Sequence, residues 1–396
     1  MKFTRALLTV LFFFNFSISY CQITLKGIVE NAENLTPIPY AMVFLTNTSI
    51  GTVSDSVGKF TLDIPDGKHE LIIKTLGFLT LNFEFDHNDI QKRLYRFQLV
   101  ADDMELSELE VNSVRDKAWY SNLEIFKRYF IGTSSNSFKT TLKNPTKLIL
   151  DDQSIPRTLL AKANEAIEIE NINLGYRIKY ILQSFEYSKS NFRVFYGGYA
   201  LFTSDSTLSR RKQKQVEKNR ETAYFGSSMH FLRAVYQNKV EEEGFLVRRL
   251  RKIPNINRPD EEELNAVAEN FRLGRPTPYT FEEYARLKKL PKTIDTLDEK
   301  PIDLSNFIEE SEDGKKILKF EDYLQVIYQK AKPDQNYPNA NKLTNQESLI
   351  HFINGKIEIY ENGSFSPPYD LLFEGYMGWV KIGDMLPLDY YPNDSK

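Results

Sequence analysis

The chain has 396 residues, with 51 basic and 54 acidic side chains for a net charge of −3, and 41% of it is apolar. That suffices for two or three packed units, and the mild acidity argues against a general nucleic-acid role, which needs a basic face to neutralise phosphates. A single cysteine leaves no intrachain disulfide and no thiolate metal cluster.

The first segment reads as a secretion signal. Lys2 and Arg5 precede an apolar stretch from Ala6 to Ile18, and Ser19-Tyr20-Cys21 places small side chains at the −3 and −1 positions before Gln22. The stretch is shorter than the roughly 20 residues that span a bilayer. Tyr20 is bulky for the position before a lipidated cysteine, so cleavage before Gln22 is expected rather than lipidation of Cys21. The mature chain then has no cysteine, and 49 basic side chains against 54 acidic ones, a net −5. No second apolar run reaches membrane-spanning length. The expected location is the periplasm or the outer-membrane surface.

Residues 22–112 read as a β-sandwich. Ile23, Leu25, Gly27 and Val29 alternate with Thr24, Lys26 and Ile28. Thr36-Pro37-Ile38-Pro39 is a stiff turn, because each proline fixes its φ and cannot donate to a ladder. Ala41, Val43 and Leu45 give the next inward face, Gly51-Thr52-Val53 a short strand, and Asp55 to Gly58 a turn. Phe60, Leu62 and Ile64 share a face before the Pro65-Asp66-Gly67 turn. Leu71 with Ile73, then Leu79 to Phe85, then Tyr95, Phe97 and Leu99 continue the alternation, and Leu109 with Val111 ends the unit. About seven short strands point to a sandwich. Asp55 to Gly58 lacks the alternating oxygen ligands and distal glutamate of a calcium loop.

Gly27-Ile28-Val29, Pro37-Ile38-Pro39-Tyr40-Ala41, Gly51-Thr52, Asp55-Ser56-Val57-Gly58-Lys59-Phe60, Ile64-Pro65 and Leu76-Gly77-Phe78 carry a resemblance. The segment resembles the carboxypeptidase-regulatory-like domain, which implies a Greek-key, transthyretin-like β-sandwich that accompanies other modules and brings no activity of its own.

Residues 113–132 read as a linking helix, with Trp119, Leu123, Phe126 and Phe130 at helical spacing and Gly132 as a C-terminal cap. Residues 133–396 read as a larger β-rich α+β domain, which makes the chain mostly β with some α. Strands are expected at Lys147 to Leu150, Ala166 to Ile172, Tyr176 to Leu182 and Phe192 to Phe202, the last broken at Gly197-Gly198, in an antiparallel meander. Helices follow at Ser209 to Ala223 and after Gly226-Ser227, then a strand from Gly244 to Leu250. Residues 252 to about 316, charged and broken by prolines, read as an insertion with helices at Asp260 to Arg272 and Phe281 to Lys289. Its aromatic residues argue against complete disorder. Strands return at Tyr323 to Tyr328 and on both sides of Asn354-Gly355, a hairpin signal. Gly375 to Ile382 continues the strand pattern. Trp119, Asn144-Pro145, Glu170-Asn171, Leu174-Gly175-Tyr176, Asn219-Arg220, Gly226-Ser227, His230 to Arg233, Gly244-Phe245 and Leu386-Pro387 make this part similar to a region found beside the regulatory-like domain in Gram-negative envelope proteins. That region brings no activity to carry over.

Few residues suggest chemistry. The four histidines, His69, His87, His230 and His351, open no His-x-x-Glu or His-Glu-x-x-His pattern, so a zinc carboxypeptidase, a metal site and a cofactor are not expected. Gly226-Ser227-Ser228-Met229-His230 lacks the second glycine of a nucleophile elbow and reads as a helix start capped by Ser227. Glu168 and Glu170 share a strand face, and with Arg220 and His230 they form the set a hydrolase would use; the plainer reading makes them a solvated face and local partners. A transmembrane barrel needs at least eight strands of about ten residues, more than the pattern supplies. The 22 tyrosines and 28 phenylalanines are the best clue to a surface: Tyr176, Tyr180 and Tyr196 are expected to line a groove for a protein or glycan partner, the plainer reading being that such rings roof a core. The leading expectation is therefore a secreted envelope binding or scaffolding protein without catalysis, with an envelope hydrolase as the alternative.

Overall fold

The computed structural model describes residues 23–102, 115–311 and 314–392. The leader, Cys21, Gln22, and the Leu109 and Val111 end of the sandwich lie outside the described residues.

Seven strands build the N-terminal unit: β1 (Ile23–Asn31), β2 (Met42–Leu45), β3 (Gly51–Val53), β4 (Lys59–Ile64), β5 (Lys68–Lys74), β6 (Leu81–Asp86) and β7 (Leu94–Leu99). They form two sheets, β4-β1-β7 and β3-β2-β5-β6, with β1 antiparallel to β4 and parallel to β7. The period-2 pattern puts Leu25, Val29, Val43, Leu45, Leu62 and Leu71 into one core between the sheets. Gly27 is required there, because a Cβ would lie 2.4 Å from the Phe60 ring. The Asp55 carboxylate accepts the N–H groups of Val57 at 2.9 Å and Lys59 at 2.8 Å, so it closes a turn. The other face of β2 and β5 is apolar too: Phe44 and Ile72 are fully buried outside the sandwich core, against Ile181 of the second unit.

The second unit begins with α1 (Lys117–Phe130), capped by the Asp116 carboxylate, which accepts the Trp119 N–H at 2.9 Å. Trp119, Leu123, Phe126 and Phe130 are its buried stripe, each worth roughly 2 kcal/mol of apolar burial. The stripe packs on a six-stranded sheet of β8 (Thr140–Leu142), β9 (Leu148–Asp151), β10 (Thr158–Ala163), β11 (Ile167–Asn171), β12 (Tyr176–Ser188) and β13 (Val194–Ser204). This is not a simple meander. The long β12 shares one edge between β11 and β10 and pairs with β13 along the other. β13 runs unbroken through Gly197 and Gly198. A Cβ on Gly198 would lie 2.2 Å from the Ile181 carbonyl, so glycine permits the close approach instead of ending the strand.

Helices α2 (Arg210–Tyr224) and α3 (Ser228–Tyr236) lead into a second core. The Ser227 side chain accepts the His230 N–H at 3.1 Å, as a cap should. β14 (Phe245–Pro254) carries an excursion with α4 (Glu261–Leu273) and α5 (Phe281–Lys289), then pairs with the returning β15 (Thr293–Leu297). The excursion is narrower than the 252–316 insertion expected from composition, and Leu264, Val267 and Tyr284 give it a small core of its own. The remaining elements are β16 (Ile308–Glu310), β17 (Lys316–Lys319), β18 (Tyr323–Tyr328), β19 (Gln346–Phe352), β20 (Lys356–Ile359), β21 (Phe365–Ser366), β22 (Leu371–Glu374) and α6 (Gly375–Trp379). They complete the sheets β15-β14-β18-β19-β22 and β16-β17-β20-β21.

Two local expectations fail here. Asn354-Gly355 does turn the chain, with Gly355 at φ +70°, but β19 and β20 enter different sheets and form no hairpin. The stretch from Gly375 folds as the short helix α6 rather than a strand, so that Met377 can enter the second core.

Candidate functional site

The four residues of the hydrolase reading do not converge. Glu168 and Glu170 point away from the core that holds their neighbours Ile167 and Ile169, and face Lys179 and Arg177 across the β11–β12 pair. Glu170 pairs with Lys143 at 3.1 Å and Arg177 at 3.8 Å. Arg220 donates to the Leu174 carbonyl at 2.8 Å and lies 3.9 Å over the Tyr176 ring, which holds α2 to the β11–β12 turn. His230 is buried; its Nδ1 accepts the Gly226 N–H at 3.1 Å, which leaves Nε2–H to donate to Glu243 at 3.0 Å. Burial holds the imidazole below its usual pKa, with Glu243 opposing. These contacts replace a shared pocket: two groups sit on an outer sheet face, one at a turn, one inside an aromatic cage.

The tyrosines do not share one groove: Tyr180 and Tyr196 line a common cavity, and Tyr176 is not among its walls. Tyr176 and Tyr180 are buried, and Tyr196 packs against the same core. Tyr176 meets Phe202, and Tyr180 and Tyr196 both meet Phe130 edge-on, at 5.1 and 5.4 Å. Burial pushes the Tyr176 hydroxyl up to about 12. Tyr180 and Tyr196 pack under α1 and Tyr176 under Arg220 of α2, because their strand face is the inner one.

Two adjoining cavities stand where the first sheet, α2, α3 and the C-terminal segment meet. The first is a cleft of 460 Å³, with Asn136, Asp334, Gln346, Tyr376 and Asp384 among its walls and exposed Lys218, Lys330 and Lys332 at its mouth. The second, of 410 Å³, is lined by Tyr180, Tyr196, Met229, Phe373, Met377 and Lys381 among others; both share Ala223, Ser227, Val380 and Asp384. Asp384 Oδ1 accepts from Asn136 at 3.0 Å, and Asp334 accepts the Ser135 N–H at 3.0 Å. Burial pushes the Asp384 carboxyl up to about 6; the Ser134 and Asn136 donors oppose this, and the Asp334 charge adds to it. Beside the cleft, Tyr376 is packed against Tyr337 and Trp379, at 5.3 and 5.8 Å between ring centres, and the Asp334 N–H donates to the Tyr376 hydroxyl at 3.3 Å. All three rings are half-buried.

Sequence reasoning missed these residues because five separate segments supply them. One signal was present: Lys381 and Asp384 are the two charges within the otherwise apolar run 379–388. Among the described residues no cluster of three or more His, Cys, Asp or Glu side chains could hold a metal ion, and no helix is long and apolar enough to cross a membrane.

Residues 25–111 match the CarboxypepD_reg-like domain family, in accord with the N-terminal sandwich. No curated protein matches the chain. Among solved structures, a type II cohesin–X-dockerin complex from Acetivibrio cellulolyticus matches at 20% identity and TM-score 0.17, over 28% of this chain and 76% of that one. A membrane-associated protein of unknown function from Bacteroides fragilis matches at 9% identity and TM-score 0.17, over 85% and 92%. A 9R-lipoxygenase from Cyanothece matches at 10% identity and TM-score 0.14, over 62% and 50%. At such TM-scores these likenesses carry no argument.

Proposed function

We propose that this is a secreted, cell-envelope binding protein that engages its partner without catalysis, in the periplasm or at the outer membrane. Between a protein and a glycan partner, the geometry favours a glycan. The observation that carries this reading is the cleft itself: Tyr376 stands in its wall with Asp334, Asn136 and Gln346, and is backed by Tyr337 and Trp379. Aromatic faces cover the apolar faces of sugar rings, and carboxylates and amides meet their hydroxyls. The sandwich adds a rigid second body, docked through Phe44 and Ile72.

The test incubates the mature chain with purified envelope oligosaccharides and reads both retention and glycan mass. Retention with unchanged mass is expected. A shortened glycan would establish the hydrolase alternative, and no retained glycan would overturn the glycan reading.

A further inference from the structure

Lys381 is an amine without an ionic partner inside a mainly apolar chamber. Its Nζ donates to the Gly378 carbonyl and stands 6.0 Å from the Tyr196 ring centre. Among the described residues it forms no ion pair, and no charged group perturbs it; burial alone lowers its pKa, to about 8. Asp384 lies three residues on but is engaged with Asn136. Lys381 is half-buried, and a cation partly withdrawn from water is normally paired, because that withdrawal is costly. Met229, Leu232, Phe365, Phe373, Met377 and Leu386 give the chamber a mainly apolar wall, with Asn47, Ser227, Ser228, Ser364 and the Asp384 carboxylate among its other polar groups. A volume of 410 Å³ is within the range of small-molecule sites.

We infer that this second cavity binds a small amphiphilic carboxylate, with its head on Lys381 and its tail among the methionine, leucine and phenylalanine walls. This goes beyond glycan binding in the neighbouring cleft and does not depend on it. The carboxylate supplies the missing counter-charge, and the flexible methionines adapt to a chain of varying shape. A neutral amphiphile leaves the ammonium unpaired, and a cationic one repels it. The competing explanation makes Lys381 a cap on the last turn of α6, through the Gly378 carbonyl alone.

Calorimetric titration of the full mature chain at pH 7 with octanoate, octanol and octyltrimethylammonium separates these. Octanoate should bind tightest, by roughly tenfold over octanol, the scale of one charge-assisted contact. Lys381→Met should erase that preference, leaving the two equal. Ser228→Trp, which fills the cavity from α3 without touching Lys381, should weaken both and guards against a misfolded lysine variant; circular dichroism checks each fold. Equal binding of octanoate and octanol by the wild type would overturn the inference. So would an octanoate preference that survives Lys381→Met, which leaves only the capping role, or binding indifferent to Ser228→Trp, which places the amphiphile elsewhere.

Discussion

The Asn47 N–H donates to the Ala200 carbonyl at 2.7 Å, and the Asn47 carbonyl accepts the Leu388 N–H at 2.7 Å. One residue of the β2–β3 turn, held at φ +58°, thus joins the sandwich, the first sheet of the second unit and the C-terminal segment. Asparagine tolerates this left-handed backbone where most residues do not. Asn47→Ala should destabilise the whole chain by about 1 kcal/mol, while Asn47→Gly should lose less. Chemical denaturation of both variants checks the order.

The same junction bears on modularity. Residues 22–112 expressed alone should unfold cooperatively, because seven strands close their own core. The fragment should also self-associate, since Phe44 and Ile72 lose their cover. Thermal melts and light scattering read the two outcomes. A fragment without a cooperative transition would mean that the second unit completes the core.

Stability should separate the residues of the hydrolase and tyrosine readings. Glu168→Gln and Glu170→Gln should change stability by less than about 0.5 kcal/mol, as exposed pairs do. His230→Ala removes a buried ring and leaves the Gly226 N–H without its acceptor; about 3 kcal/mol should be lost. Tyr180→Ala should cost a similar amount, because its ring fills the core under Phe130.

Two half-buried charges should give opposite pH signatures. The Asp384 carboxyl, raised from 3.8 to about 6 in the fold, is neutral in both states well below its ordinary value and carries its full penalty above pH 6. Stability from this group therefore falls between those limits as pH rises, and Asp384→Asn should stabilise at pH 7.5 on the order of 1 kcal/mol, with little gain at about pH 3. Lys381, lowered to about 8, costs stability while charged and ceases to do so as pH rises from 8 towards 10.5. The advantage of Lys381→Met should shrink over that interval. Melting temperatures across both ranges test the two signs.

The sandwich was legible because every strand carries its own alternation and each turn its own glycine, proline or aspartate. The α1 stripe was legible for the same local reason. β10 was not: Thr158–Ala163 includes two alanines and a lysine, a weak strand signal that its place between β9 and β12 overrides. The Asn354-Gly355 turn was read correctly, but the partner strands were not. Sheet membership is decided by packing, and Ile357 and Ile359 follow Leu318 into another layer. For the tyrosines, alternation with basic residues showed that Tyr176 and Tyr180 share a face; it could not show that α1 and α2 cover that face. The cleft draws Asn136, Asp334, Gln346, Tyr376 and Asp384 from distant segments, so no spacing announces it.

The central claim is that recognition belongs to the aromatic cleft and not to the outer face of β11. The most direct measurement is the affinity of the retained oligosaccharide for the wild type, Tyr376→Ala and Glu168→Gln, each checked for folding. Tyr376→Ala, which removes the aromatic ring in the cleft wall, should weaken binding roughly thirtyfold, about 2 kcal/mol for an aromatic anchor, and Glu168→Gln should leave it unchanged. Binding lost in Glu168→Gln and kept in Tyr376→Ala would contradict it.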